Sequence, residues 1–114
     1  MITKPEERKT ELREIEQGTM MVENLLNTEQ MDGKCRMVAK VVMPTGGKLK
    51  YHPHFNESET YYILSGNGIY NDDGIEYPVT AGDLTFTPSG HSHGISNPSK
   101  EDLVFLAIII KGEQ

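Results

Sequence analysis

Apolar and polar positions along this chain change character near residue 34. Before it, residues 4–16 are rich in charge, with Leu12 and Ile15 as the apolar anchors, so a helix there would bury only a thin stripe. An extended arm, docked on the body of the protein or on a partner subunit, fits the same pattern. Gly18 ends that piece, and 22–32 has room for a short helical turn around Leu25 and Leu26. Residues 1–33 are therefore read as an N-terminal arm and 34–114 as the main domain.

From Lys34 onward the punctuation becomes regular. Residues 36–43 are rich in β-formers and end at Pro44-Thr45-Gly46-Gly47, a turn signal. Residues 48–54 follow, with Pro53 pointing to an edge or a bend. Residues 59–64 carry Thr, two Tyr, Ile and Leu, which predicts a strand. Asn71-Asp72-Asp73-Gly74 reads as a hairpin loop between two short strands. Further strands are expected over 84–87, 91–96 and 103–110, each set off by Gly, Pro or Asn turns. Short strands separated by turns about every ten residues indicate a sandwich or barrel. The fold class is all-β, a jelly-roll with a poorly defined arm.

Composition narrows the partners. Charged residues make up 25% of the chain, too mixed with apolar strands for wholesale disorder, and the formal net charge is −6. Scattered basic residues on an acidic chain argue against nucleic acid or an anionic membrane surface as partner. Cys35 is the single cysteine, so neither an intrachain disulfide nor a cysteine-based zinc site is expected; it reads as a small buried hydrophobe in a strand. The charged start, Met1 to Arg8, lacks the apolar core of a secretory signal, and the apolar run 103–110 is too short for a membrane span. A cytoplasmic protein is the expectation. That run is apolar on both faces, as in a deep strand or a subunit interface, and suggests a homodimer in which the arm is exchanged. Met20, Met21, Met31, Met37 and Met43 read as gap-filling core or arm residues.

The four histidines fall in two pairs, His52/His54 and His91/His93. Residues two apart in a strand share a face, so each pair can aim both imidazoles into one cavity. Glu59 opens the strand beyond the turn that follows His54 and can stand beside them. A histidine of the second pair would complete a shell of three His and one Glu. Such donors suit first-row divalent ions. Four protein ligands on an octahedral ion leave two positions for water, dioxygen or a chelating substrate.

Spacing adds a resemblance. Gly46, His52, His54, Glu59 and Gly66 fit G-x5-H-x-H-x4-E-x6-G, and Gly82, Pro88, Gly90, His93 and Asn97 fit G-x5-P-x-G-x2-H-x3-N. At every fixed position these resemble the two motifs of the cupin family, and the 15 residues between them resemble the short spacing of small single-domain microbial cupins. The resemblance implies a double-stranded β-helix, a conical barrel with a metal near its centre. It also implies His52, His54, Glu59 and His93 as the metal ligands, with one divalent transition metal per chain (manganese, iron, nickel, cobalt or zinc). Gly and Pro88 are expected at the corners between strands, and Asn97 at a turn.

Other pocket residues are read from strand parity. His91 is a candidate proton shuttle and Glu59 a candidate base. Tyr61 shares parity with Glu59 and can line the cavity. Lys48 and Lys50 share parity with His52, and with Arg36 they are candidates to hold a substrate carboxylate. The expected function is a metal-dependent enzyme acting on a small polar or carboxylate-bearing metabolite, by dioxygenation or by isomerase, lyase or decarboxylase chemistry. The alternative is a non-catalytic metal-containing module that binds or senses a small ligand.

Overall fold

The computed structural model describes residues 1–112, so Glu113 and Gln114, the last positions of the expected main domain, lie outside the described residues. Ten strands follow one 3-10 turn at Pro5–Glu7: β1 Thr10–Glu14, β2 Thr19–Asn24, β3 Cys35–Met43, β4 Lys48–Pro53, β5 Glu57–Ser65, β6 Asn67–Asp72, β7 Ile75–Thr80, β8 Leu84–Thr87, β9 Ser92–Ser96 and β10 Leu103–Lys111. They form a six-stranded sheet in the order β1-β2-β3-β10-β5-β8 and a four-stranded sheet in the order β4-β9-β6-β7. All pairings are antiparallel. This is the double-stranded β-helix that the cupin resemblance implies, and the strands from β3 onward fall where the turn signals put them.

Alternation explains which face each strand buries. Along β10, Leu103, Phe105, Ala107 and Ile109 are buried, while Val104, Leu106 and Ile108 are half-buried on the outer face. The inner set packs with Tyr61 and Ile63 of β5, Val41 and Met43 of β3, and Tyr70, Val79 and Ile95 of the smaller sheet. Burying a side chain of this size contributes roughly 1.5–3 kcal/mol. The core therefore sits between the sheets and closes one end of the barrel, leaving the other end for a cavity.

The N-terminal arm departs from one expectation. Apart from the 3-10 turn at Pro5–Glu7, neither 4–16 nor 22–32 is helical. Residues 10–14 and 19–24 form a hairpin whose second strand pairs with β3, from Met21↔Val42 to Asn24↔Ala39. Period two wins here because Met20 and Val22 alternate with Met21 and Glu23, which places the first pair in the barrel core. The Leu25 and Leu26 amides both donate to the Val38 carbonyl, so the backbone that a helical turn would need is committed to the sheet. The hairpin thus extends the six-stranded sheet beside β3. Cys35 is also less enclosed than expected, half-buried at the start of β3.

Three local features shape the turns of the barrel. Asp73 and Gly74, with φ of 55° and 100°, form the tight turn joining β6 to β7, as the Asp-Gly pair predicts. Gly66 has φ of 87°, and a Cβ there would collide with the Asp102 carbonyl oxygen, so only glycine serves at that corner. Asn97 ties the same segment to β3: its side-chain amide donates to the Met43 and Glu101 carbonyls at 2.9 and 2.8 Å. No helix among the described residues is long and apolar enough to cross a membrane.

Candidate metal centre

His52 and His54 come from the end of β4, Glu59 from β5 in the opposite sheet, and His93 from β9. Their ligand atoms all lie within 4.8 Å of one another. His52 and His93 face each other directly across the β4–β9 ladder. The three imidazole centroids form a near-equilateral triangle with sides of 4.9, 4.8 and 4.8 Å. Glu59 Oε1 lies 2.7 Å from His54 Nε2 and 2.8 Å from His93 Nε2. His54, Glu59 and His93 are buried, and His52 is half-buried on the cavity side.

The partners of the other ring nitrogens decide what converges. His52 Nδ1 donates to the Lys50 carbonyl at 2.5 Å. His54 Nδ1 donates to the Glu57 carboxylate at 2.6 Å. Both acceptors lack a proton to give, so each ring carries its hydrogen on Nδ1 and turns a bare Nε2 lone pair inward. His93 Nδ1 lies 2.8 Å from the Tyr70 hydroxyl, which lies 2.6 Å from Thr87 Oγ1. Donation from Tyr70 to Thr87 frees the phenolic oxygen to accept from His93, and the third ring joins the pattern. His54 Nε2 and His93 Nε2 then stand 3.0 Å apart beside a carboxylate oxygen. Converging lone pairs repel unless a cation lies among them, so the donor set fits a divalent transition metal.

Electrostatics agree with that reading. Burial pushes the His52 imidazole below its usual range, and the neighbouring imidazoles add to the effect. The Arg36 guanidinium holds the Glu57 carboxyl down at about 2, against its own partial burial. Burial raises the Tyr61 phenol well above its ordinary value, with the Glu59 charge adding to it. Tyr61 stacks on His93 at 5.0 Å between ring centroids and packs against Phe105.

A cavity of about 590 Å³ opens beside His52, His54 and Glu59. Ile15, Met20, Met37, Val41, Leu49 and Phe105 make its apolar wall, and Arg13, Arg36 and Lys50 supply cations at its lining. Tyr61, Arg36 and Lys50 stand in the cavity lining, and β4 departs from plain alternation. The β4–β9 register shifts between Leu49 and His52, a bulge that turns Leu49 and His52 toward the same side. Lys48 instead approaches Glu16 at 3.8 Å. His91 precedes β9, is exposed, and pairs with Asp73 at 2.5 Å; it is not among the converging residues.

Sequence reasoning passed over three residues that matter here. Glu57 shares parity with Glu59, and that spacing was the available signal. Tyr70 and Thr87 meet His93 only through the pairing of separate strands, which leaves no local trace. Gly94 is a fourth case: a Cβ on it would lie 3.0 Å from Tyr51 N and 3.1 Å from Leu49 O, the backbone of the bulge.

A two-sheet barrel with three imidazoles and one carboxylate converging at its open end defines a metal-site cupin. The cupin domain family matches residues 39–109, and the chain belongs to it. The chain is 44% identical over 93 residues to an oxalate-binding protein of Thermotoga maritima, covering 82% of this chain and 77% of that protein. A crystal structure described as a predicted oxalate decarboxylase, also from Thermotoga maritima, is 38% identical with a TM-score of 0.91, covering 97% of this chain and 99% of that one. A mannose-1-phosphate guanylyltransferase of Klebsiella pneumoniae is 30% identical over 71 residues, 62% of this chain and 15% of that protein.

Proposed function

We propose that this chain binds one divalent transition metal through His52, His54, Glu59 and His93 and uses it to hold oxalate or a similarly small dicarboxylate. The observation that carries the reading is the convergence of three imidazoles and one carboxylate, their ligand atoms within 4.8 Å of one another, beside a cavity lined by apolar side chains and by Arg13, Arg36 and Lys50. When bound, the metal supplies Lewis-acid positions for chelating carboxylate oxygens. Ile15, Met37, Leu49 and Phe105 keep water from the site and so strengthen every charge interaction inside it. The 44% identity to an oxalate-binding protein supports the choice of ligand.

Elemental analysis of protein purified without added metal, followed by calorimetric titration with oxalate, malonate and succinate, tests this. Oxalate is expected to bind the metal-loaded protein most tightly, and His52→Ala and His93→Ala are expected to abolish both metal and oxalate binding. Substoichiometric metal that both substitutions leave unchanged would overturn the reading.

The likeness to a protein described as a predicted oxalate decarboxylase favours a second reading, turnover at the same site. There the carbon–carbon bond of hydrogen oxalate breaks, carbon dioxide leaves, and the remaining carbon takes up a proton to become formate. Formate release by the metal-loaded protein supports turnover, and oxalate bound without product leaves binding as the function.

We also infer a homodimer. The outer face of the six-stranded sheet exposes Tyr62 and Leu64 of β5 beside Leu84 and Phe86 of β8, next to the half-buried outer row of β10. Contiguous apolar surface of this kind marks an interface. Light scattering that returns only monomer removes the inference.

A further inference from the structure

Each imidazole of the site is held from behind, but by a different kind of group. His52 leans on a backbone carbonyl and His93 on a phenol, whereas His54 alone leans on a carboxylate. That carboxylate is itself gripped from two directions. Arg36 Nε lies 2.8 Å from Glu57 Oε1, and Arg36 Nη2 lies 2.8 Å from Glu57 Oε2. Arg36 stands on β3 and Glu57 at the start of β5, so the pair reaches across the end of β10, which lies between those strands. Both side chains also line the cavity.

We propose that Glu57, braced by Arg36, is a positioning residue that sets the orientation and donor strength of His54, and that Arg36 preserves the positive charge an anionic ligand needs. This rests on the metal-centre reading above. A carboxylate accepting the Nδ1 hydrogen shifts electron density toward Nε2, which strengthens His54 as a donor. Fork-on-fork contact with the guanidinium removes the carboxylate's rotational freedom and, through it, that of the ring. The charge count gives Arg36 its second role. A dication with Glu59 and Glu57 is neutral, and the guanidinium restores one positive charge next to the cavity. Loss of Arg36 therefore weakens anion capture even where the metal still binds.

Calorimetric titration of the purified metal-free chain with Mn2+ and Co2+, then of the loaded protein with oxalate, tests the role. Glu57→Gln is expected to lower metal affinity about tenfold and Glu57→Ala up to about 100-fold, the usual reach of outer-shell partners. Both should move the visible spectrum of the Co2+ form, because the donor strength of one ligand changes. Arg36→Met is expected to weaken metal binding less and oxalate binding more, and adding it to Glu57→Ala should lower metal affinity no further. Unfolding of the metal-free forms separates this from a clamp between β3 and β5, which would shift thermal stability and leave metal affinity and the Co2+ spectrum in place. Should Glu57→Ala fail to fold, Glu57→Gln and Arg36→Met carry the same comparison. Metal affinity within twofold of the parent in all of these overturns the positioning role alone. A parent chain that takes up neither ion overturns the metal centre, and this role with it.

Discussion

His52 and His93 sit opposite each other in one ladder, yet they occupy different environments. His93 is fully enclosed, with Tyr61 stacked on its ring and Tyr70 and Thr87 behind it. His52 and its neighbour His54 lie toward the open end, on a bulged edge strand, and rely on the Lys50 carbonyl and the Arg36-supported Glu57. Packing fixes the buried ligand, since a ring at interior density has few alternative rotamers. At the mouth, where packing is incomplete, hydrogen bonds take over that task. The two halves of the site reach the same orientation by different physical means, and substitutions on the two sides should fail differently.

The largest effect is expected at the buried half. Tyr61→Ala removes the ring that touches both His93 and Phe105 and should destabilise the metal-free protein by about 3–5 kcal/mol, read from urea unfolding. A loss below about 1 kcal/mol would mean that the enclosed side is not packing-controlled. His93→Ala and His52→Ala provide the direct contrast. Both should empty the site by elemental analysis, but His93→Ala should also cost about 1–3 kcal/mol of metal-free stability, since it strands the Tyr70–Thr87 pair in the interior. His52→Ala should cost well under that, and equal losses would erase the distinction between the halves.

Gly94→Ala tests the bulge that carries the mouth. Its methyl group presses on the Tyr51 and Leu49 backbone and should cost about 1–3 kcal/mol, with amide chemical shifts moving along β4. Tyr70→Phe keeps the ring and deletes one hydroxyl, for about 1 kcal/mol and a weaker hold on metal in a Mn2+ titration. At the small end, His91→Ala breaks an exposed pair with Asp73 and should change stability by no more than about 0.5 kcal/mol, with metal content intact. Loss of metal in that variant would bring His91 into the site after all.

Much of this molecule is written locally. Strand positions from β3 onward follow from alternation and from Gly, Pro and Asn at the turns, because both are properties of a few consecutive residues. The ligand set is local in the same sense: His52, His54 and Glu59 are separated by one turn, and the two spaced motifs add His93. Three features needed the folded chain. The β4 bulge brings Leu49 to the cavity lining along with His52, and one extra residue in a ladder is defined only against its partner strand. Met20 and Val22 enter the core because β3 offers an edge to the N-terminal hairpin, whereas the charges of 4–16 obscure that destination. Glu57, Arg36, Tyr70 and Thr87 come from four strands and meet the imidazoles only once both sheets have closed. A candidate metal ligand announces itself by its chemistry and spacing; the group that aims it is an ordinary residue until tertiary pairing places it there.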